Sequence, residues 1–393
     1  MTRSLVGDGS GPEVEREVVR AMMLLRLATL ATGHAGVREE TALGYAAMLN
    51  AGITPVVPEY GSLGCSGDLA PLAHCALALT GEGQVRDQGG QLRTAAEALE
   101  LAGLAPVTLA EKEGLALING TDGMLGMLVL AIADLRVLLT VADITAAMSA
   151  EGLLGTDAAF AADLQQLRPH PGQARSAANL RALLAGSGIM ASHRGPDCTR
   201  VQDAYSLRCA PQVAGAARDT VQHATEVASR ELAAAIDNPV VTGDGRVESN
   251  GNFHGAPLAY VLDFLAIAVA DLASMAERRT DRFLDVARNG GLPAFLADDP
   301  GVDSGLMIAQ LRRAVDGLGR VLAIELLTAA RGIELRAPLV PSPATGAVIS
   351  ALRAVVPGPG PDRFLAPEIQ AAVAFVADGA AVRAAEPVTG PLS

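Results

Sequence analysis

A chain of 393 residues that is 50% hydrophobic can bury a sizeable core, and its length alone allows two or three domains. A formal net charge of −13 argues against a nucleic-acid surface, and aromatics at only 3% with no tryptophan, in a chain rich in Ala and Leu, point to a mainly α protein. The four cysteines, at 65, 75, 198 and 209, show no CxxC spacing, and no His or Cys pair has zinc-ligand spacing, so free thiols in a reducing cytoplasm and no metal are expected.

In chain order, residues 13–32 place Val14, Val18, Met22, Leu25 and Thr29 on one face, which predicts an amphipathic helix. Pro55 and Pro58 break the chain before the glycine-rich string GSLGCSGDLAPLAH, and Asp68 in that string is read as the cap of a helix DLAPLAHCALAL. Residues 81–90 read as a polar glycine turn. Residues 111–154 predict a long apolar helical stretch with a break near Asn119-Gly120. Residues 168–172 read as a proline loop and 237–252 as a Gly/Asn/Asp loop with a short hairpin around 243–245. Residues 255–287 and 305–335 predict two further long helices, and 357–362 a proline-glycine linker to a last short helix. No internal repeat or sharp boundary is visible. One helical domain over 1–393 is expected, with a loop region at 55–80, a central bundle at 111–335 and a tail at 336–393. The apolar runs 124–133 and 258–270 are interrupted by Asp134 and Asp263 and fall short of a bilayer span, and residues 1–10 hold no apolar stretch, so neither membrane nor leader is expected. The mean hydropathy of +0.31 is high, as long helices packed on all sides or subunit interfaces would make it.

Cys65-Ser66-Gly67 carries the most chemistry. In a small-Ser-Gly tripeptide the Gly67 amide nitrogen can attack the Cys65 carbonyl carbon. Loss of water and elimination of the Ser66 hydroxyl then leave a methylidene-imidazolone ring (MIO), an electrophile that no ordinary side chain offers. Glycine supplies an unhindered amide, serine a leaving group, and the flanking Gly61 and Gly64 permit the tight backbone that attack requires. A helix starting after Asp68 would point its positive end at the ring. The plainer reading of such a tripeptide is a turn before a helix. A serine-hydrolase elbow needs G-x-S-x-G, which Gly64-Cys65-Ser66-Gly67-Asp68 does not provide.

Three later segments add polar groups. In EGLALINGTDGML, Asn119 could donate to a developing oxyanion, against the plainer reading of a helix cap beside a kink. In VQDAYSLRCAPQ, Gln202, Tyr205 and Arg208 follow one another at spacings of three, as on one helix face, and an arginine there suits a substrate carboxylate. The plainer reading is a solvated face. In ESNGNFHGAPLAYVLDFLAIA, Phe253 and His254 sit between glycines, and a lone His254 reads first as a structural histidine.

Together GSLGCSGDLAPLAH, EGLALING, QDAYSLRC and GNFHG resemble the successive blocks of the histidine and phenylalanine ammonia-lyases, and the segment LAIELLTAARGIEL at 322–335 fits them too. The resemblance runs from about residue 13 to 310 and from 311 to near the end. It is to histidine ammonia-lyase of the actinobacterial form, where Cys commonly opens the tripeptide. It implies a truncated long-helix bundle of the ammonia-lyase type. Cys65, Ser66 and Gly67 would form the MIO electrophile, with Asp68 assisting. Asn119 would hydrogen-bond the ring, Phe253 would press beside it, Gln202 and Tyr205 would line the site, and Arg208 would hold the substrate carboxylate. The implied reaction adds the amine of L-histidine to the methylidene, removes a β-proton, and releases ammonia and urocanate. The implied assembly is a homotetramer whose sites draw on three chains, without metal.

The same resemblance marks departures. The family's N-terminal segment, with a tyrosine loop assigned a base role, has no counterpart here, and the four tyrosines lie at 45, 60, 205 and 260. Leu5 lies near where a Ser-His pair would contact imidazole. Met307–Gln310 runs straight into Leu311, where the family carries a long insert with a glutamate near the substrate. Histidine deamination is therefore expected to be weak or absent even if the ring forms, unless Tyr205 or Tyr60 serves as base. A catalytically inactive scaffold or partner subunit, or a truncated or engineered chain, remains the alternative. The fumarase and aspartase group also eliminates ammonia, but its Gly-Ser-Ser loop is absent.

Overall fold

A computed structural model of the chain describes residues 9–62, 64–195, 201–297, 314–358 and 365–393. The Gln310–Leu311 junction, Leu5, Cys198 and most of the 357–362 linker lie outside the described residues. The chain groups into two units, Met1–Ile132 with His223–Asp263, and Ala133–Gln222 with Phe264–Ser393. Each boundary falls inside a long helix: Asp122–Gly152, Ala210–Leu232 or Ala256–Leu284.

The first unit holds the glycine-rich string. Its first helix is Arg16–Ala31, and the residues just before it pair instead as a strand, Ser10–Glu13, antiparallel to Pro58–Tyr60. The buried face of this helix is Val19, Met22, Met23, Arg26, Thr29 and Leu30, one residue on from the expected stripe. Arg26 faces inward because buried main-chain carbonyls receive it. The residues read as a polar turn at 81–90 hold a strand, Gln84–Arg86, which pairs with Thr54–Pro55 and Leu92–Thr94. The expected break near Asn119 is present, between the short helix Glu113–Ala116 and the 31-residue helix Asp122–Gly152. The hairpin around 243–245 is present as Val240–Val241 paired with Val247–Glu248. Met23, Tyr45, Met48, Leu72, Cys75, Leu79, Val85, Leu117 and Ile118 form one buried core.

Glu113 ties this core to the chain above it. It is 1% exposed and accepts from Arg38 Nε (3.1 Å) and Nη2 (2.8 Å), the Arg38 amide (2.8 Å), Thr41 Oγ1 (2.9 Å) and the Ala110 amide (2.7 Å). Burial alone would raise its carboxyl, but these donors overcome it and hold the group at about 2. Glu113→Ala is expected to lose about 2–3 kcal/mol at pH 7, because it strands buried donors. A depressed carboxyl stabilises the fold above its unfolded value of 4.5 and loses that contribution as pH falls towards 2. Urea unfolding of both proteins should show the gap narrowing below pH 4.5; a constant gap would contradict the assignment.

In the second unit, buried polar groups interrupt the apolar packing. Asp143 receives Ser176 Oγ (2.5 Å), Asn179 Nδ2 (2.8 Å) and Arg218 Nη2 (2.7 Å). Glu151 receives the Ser342 amide (2.7 Å) and Thr345 Oγ1 (2.5 Å). Glu325 pairs with Arg279, and both are buried. The interrupted runs at 124–133 and 258–270 lie in Asp122–Gly152 and Ala256–Leu284, which are long and apolar enough to cross a membrane by length and composition. In the first of these, Asp143 and Glu151 have protein partners inside their own unit, as a core helix requires.

Candidate active site

Cys65-Ser66-Gly67 sits in a turn held from two sides. Gly64 and Gly67 both have positive φ, +65° and +74°, and the Gly67 amide closes the turn on Gly64 O at 3.3 Å. The Gly255 amide donates to Gly64 O at 2.8 Å, and the Asp68 amide donates to Gly120 O at 2.7 Å. A Cβ placed on Gly67 would lie 2.4 Å from Gly120 O and 3.1 Å from Phe253 O. One on Gly255 would lie 2.7 Å from Gly64 O and 2.2 Å from Met124 Cε. Three stretches of main chain, 64–68, 119–124 and 253–255, therefore meet closely and leave no room for a side chain at Gly67 or Gly255. Gly67 and Asp68 are buried, Ser66 is half-buried and Cys65 is exposed. Burial is therefore greatest at the glycine end of the turn, where the packing grips it. The helix Leu69–Leu79 follows directly, as expected.

Asp68 does not cap that helix through its side chain. Its Oδ2 accepts instead from the amides of Gly123 (2.8 Å) and Met124 (3.0 Å), in the first turn of Asp122–Gly152. It thereby satisfies orphan donors of a helix whose positive end favours a carboxylate. Burial raises its carboxyl to about 6, against hydrogen bonds from Ser62, Met124 and Gly123 that favour the charged form.

Asn119 is 7% exposed and lies in the break between the two helices. Its Nδ2 donates to Leu115 O (3.3 Å) and Asn238 O (3.1 Å), so both amide hydrogens engage main chain and the side chain braces the break. Phe253 is half-buried and presents its carbonyl to Gly67. His254 is exposed, and its Nδ1 accepts the Ala256 amide at the start of the next helix, a structural role.

Gln202, Tyr205 and Arg208 belong to the second unit. They do not share a helix face: Gln202 is exposed in irregular chain, and the helix is the single turn Tyr205–Arg208. Asp203, next to Gln202, is buried and draws the chain inward by accepting the Thr156 amide at 2.6 Å, leaving Gln202 outside. Arg208 Cζ lies 4.6 Å from the centre of the Tyr205 ring, a cation–π contact. Its Nε is buried with no hydrogen-bond partner among the described residues. Arg279 Nη1 donates to Ser206 O at 3.0 Å and so fixes this turn.

Two arginines, Arg26 and Arg279, escaped the reading of the sequence. The only signal was a lone charge inside an apolar run, MMLLRLATLA for Arg26.

A family profile described as aromatic amino acid lyase matches residues 4–314. The histidine ammonia-lyase of Streptomyces avermitilis is 61% identical over 427 aligned positions, covering 98% of this chain and 83% of the relative. That of Sorangium cellulosum is 46% identical, with 98% and 84% covered. The aligned stretch of 427 positions exceeds the 393 residues here, so these relatives carry internal residues that this chain lacks. Among solved structures, histidine ammonia-lyase from Trypanosoma cruzi superposes with a TM-score of 0.88 at 34% identity, covering 98% of this chain and 81% of the other. Tyrosine aminomutase from Streptomyces globisporus gives 0.89 at 35%, covering 100% and 85%.

Proposed function

The chain belongs to the aromatic amino acid lyase family, a group of carbon–nitrogen lyases, and from that premise we propose that it closes an MIO ring from Cys65, Ser66 and Gly67 and eliminates ammonia from L-histidine to give urocanate. The seat of Gly67 carries the proposal: φ is +74°, and the space a Cβ would fill is taken by two carbonyl oxygens. That cradle accepts glycine alone and holds its amide in a tight turn, donating to Gly64 O at 3.3 Å. Once formed, the ring supplies an electrophilic carbon. Asp68 anchors the turn to the helix beneath it. Arg208, with its unpartnered Nε, is the group proposed to hold the substrate carboxylate, beside Tyr205 and Gln202. Asn119 and Phe253 brace the main chain around Gly67.

We also propose that residues 1–393 work as one domain, in a homotetramer in the cytoplasm. Tyr260, Phe264 and Ile267 lie at spacings of four and three on one helix and are 75%, 51% and 67% exposed, an apolar stripe that a further copy of the chain would cover. No metal or diffusible cofactor enters the scheme. Slow turnover is expected, because the aligned relatives carry internal residues that this chain lacks.

The purified chain is expected to show near-ultraviolet ring absorption. It should release urocanate from L-histidine, and not cinnamate from L-phenylalanine, below the range of about 1–10³ per second common to enzymes. Ring absorption with no urocanate above a no-protein control would favour the second reading, an inactive homologue serving as partner subunit. Turnover of L-phenylalanine instead would contradict the substrate assignment.

A further inference from the structure

We propose that Arg26 is a positioning residue for ring closure: its guanidinium holds the main-chain break whose Gly120 carbonyl presses on Gly67. This rests on the ring-forming reading given above. Arg26 lies on the helix Arg16–Ala31 and is 0% exposed. Its Nη1 donates to the carbonyls of Asn119 and Ala116, the latter at 3.4 Å, and its Nη2 to Ile236 O at 2.8 Å. Its Nε lies 3.6 Å from Asp122 Oδ2, and both atoms are buried without a hydrogen bond among the described residues. Burying a guanidinium is unfavourable unless such partners offset the lost hydration. One side chain thus joins the end of the helix Glu113–Ala116, the Asn119–Gly120 break, the start of Asp122–Gly152 and the loop at Ile236.

The consequence reaches the tripeptide through one residue. Gly120 follows the carbonyl that Arg26 grips, and its own carbonyl takes the Asp68 amide and lies against Gly67. Behind Gly120 there is no slack: a Cβ there would lie 2.8 Å from Arg26 Nη1 and 2.1 Å from Asp122 Oδ2. In closure, a bond forms between the Gly67 nitrogen and the Cys65 carbonyl carbon. The Cys65 oxygen leaves as water with the amide hydrogens of Gly67 and Ser66, and the Ser66 hydroxyl leaves with its Cα hydrogen as a second water. No oxidant is needed. Closure requires the Gly67 nitrogen to stay against the Cys65 carbonyl, and a small loss of alignment in such an intramolecular step is worth orders of magnitude in rate.

The test reads the ring itself. Arg26→Met, Arg26→Lys and Asp143→Asn are made in the full chain, the last breaking the buried Arg218 pair of the other unit. Circular dichroism checks folding, and intact mass gives the fraction lacking two waters at a fixed short time after induction. Folded Arg26→Met is expected to show a ring-bearing fraction about tenfold below wild type or lower, Arg26→Lys an intermediate one, and Asp143→Asn an unchanged one. Should Arg26→Met not fold, Arg26→Lys decides: a wild-type fraction overturns the inference. An equal fall in Asp143→Asn also overturns it, since the effect would then be general loss of stability. A wild-type chain at its full sequence mass would instead defeat the ring-forming reading on which the inference stands.

Discussion

Ser66→Ala is expected to abolish the near-ultraviolet ring band and to bring urocanate release down to the rate without protein. The substitution removes the only leaving group on the Cβ that must become the methylidene carbon, so cyclisation cannot complete whatever the surrounding geometry does. For an enzyme working at ordinary rates the loss would exceed about 10⁶-fold; the slow turnover expected here narrows the measurable drop and makes the band the sharper readout. Stability should change little, by about 0.5 kcal/mol or less. Ser66 is half-buried, and its hydroxyl lies 3.7 Å from Cys65 Sγ, a weak contact. A Ser66→Ala protein that keeps the band would mean that the absorbing group lies elsewhere in the chain.

Gly67→Ala is expected to prevent ring formation by a different route, leaving the serine in place. The added methyl group would stand 2.4 Å from the main-chain oxygen of Gly120, on a residue whose φ of +74° is unfavourable to any side chain. The conformational term is about 1–2 kcal/mol and the overpacking term about 1–3 kcal/mol. Both act on backbone, which cannot swing aside as a flexible side chain would. Relief requires the turn to open, and an open turn separates the Gly67 nitrogen from the Cys65 carbonyl. Urea unfolding should therefore show a loss of about 2–5 kcal/mol together with loss of the band. A Gly67→Ala protein with wild-type absorbance would show that the cradle is not what brings the nitrogen to the carbonyl.

Much of this was readable in the residues. The tripeptide, the helix after it, the break at Asn119-Gly120 and the hairpin around 243–245 are local features, and Gly, Pro and apolar spacing report them directly. What the residues hid was long-range. Periodicity treats Arg26 as surface, and its inward turn makes sense only once the carbonyls of Ala116, Asn119 and Ile236, up to 210 positions away, are in place. Asp68 reads as the cap of the helix beside it, whereas the amides it satisfies, Gly123 and Met124, lie 55 and 56 positions on. Strands of two or three residues, such as Gln84–Arg86, are too short to show an alternating pattern. Spacing alone puts Gln202 on a helix face and does not reveal that the helix begins only at Tyr205.

Intact mass spectrometry of the purified chain beside its Ser66→Ala variant tests the central claim most directly. The account predicts a wild-type mass lower than the sequence mass by two water molecules, with the loss confined to the peptide containing Cys65, Ser66 and Gly67, and a variant whose Ser66-derived water is never lost. A wild-type chain at its full sequence mass, with Ser66 intact in a folded protein, would contradict it.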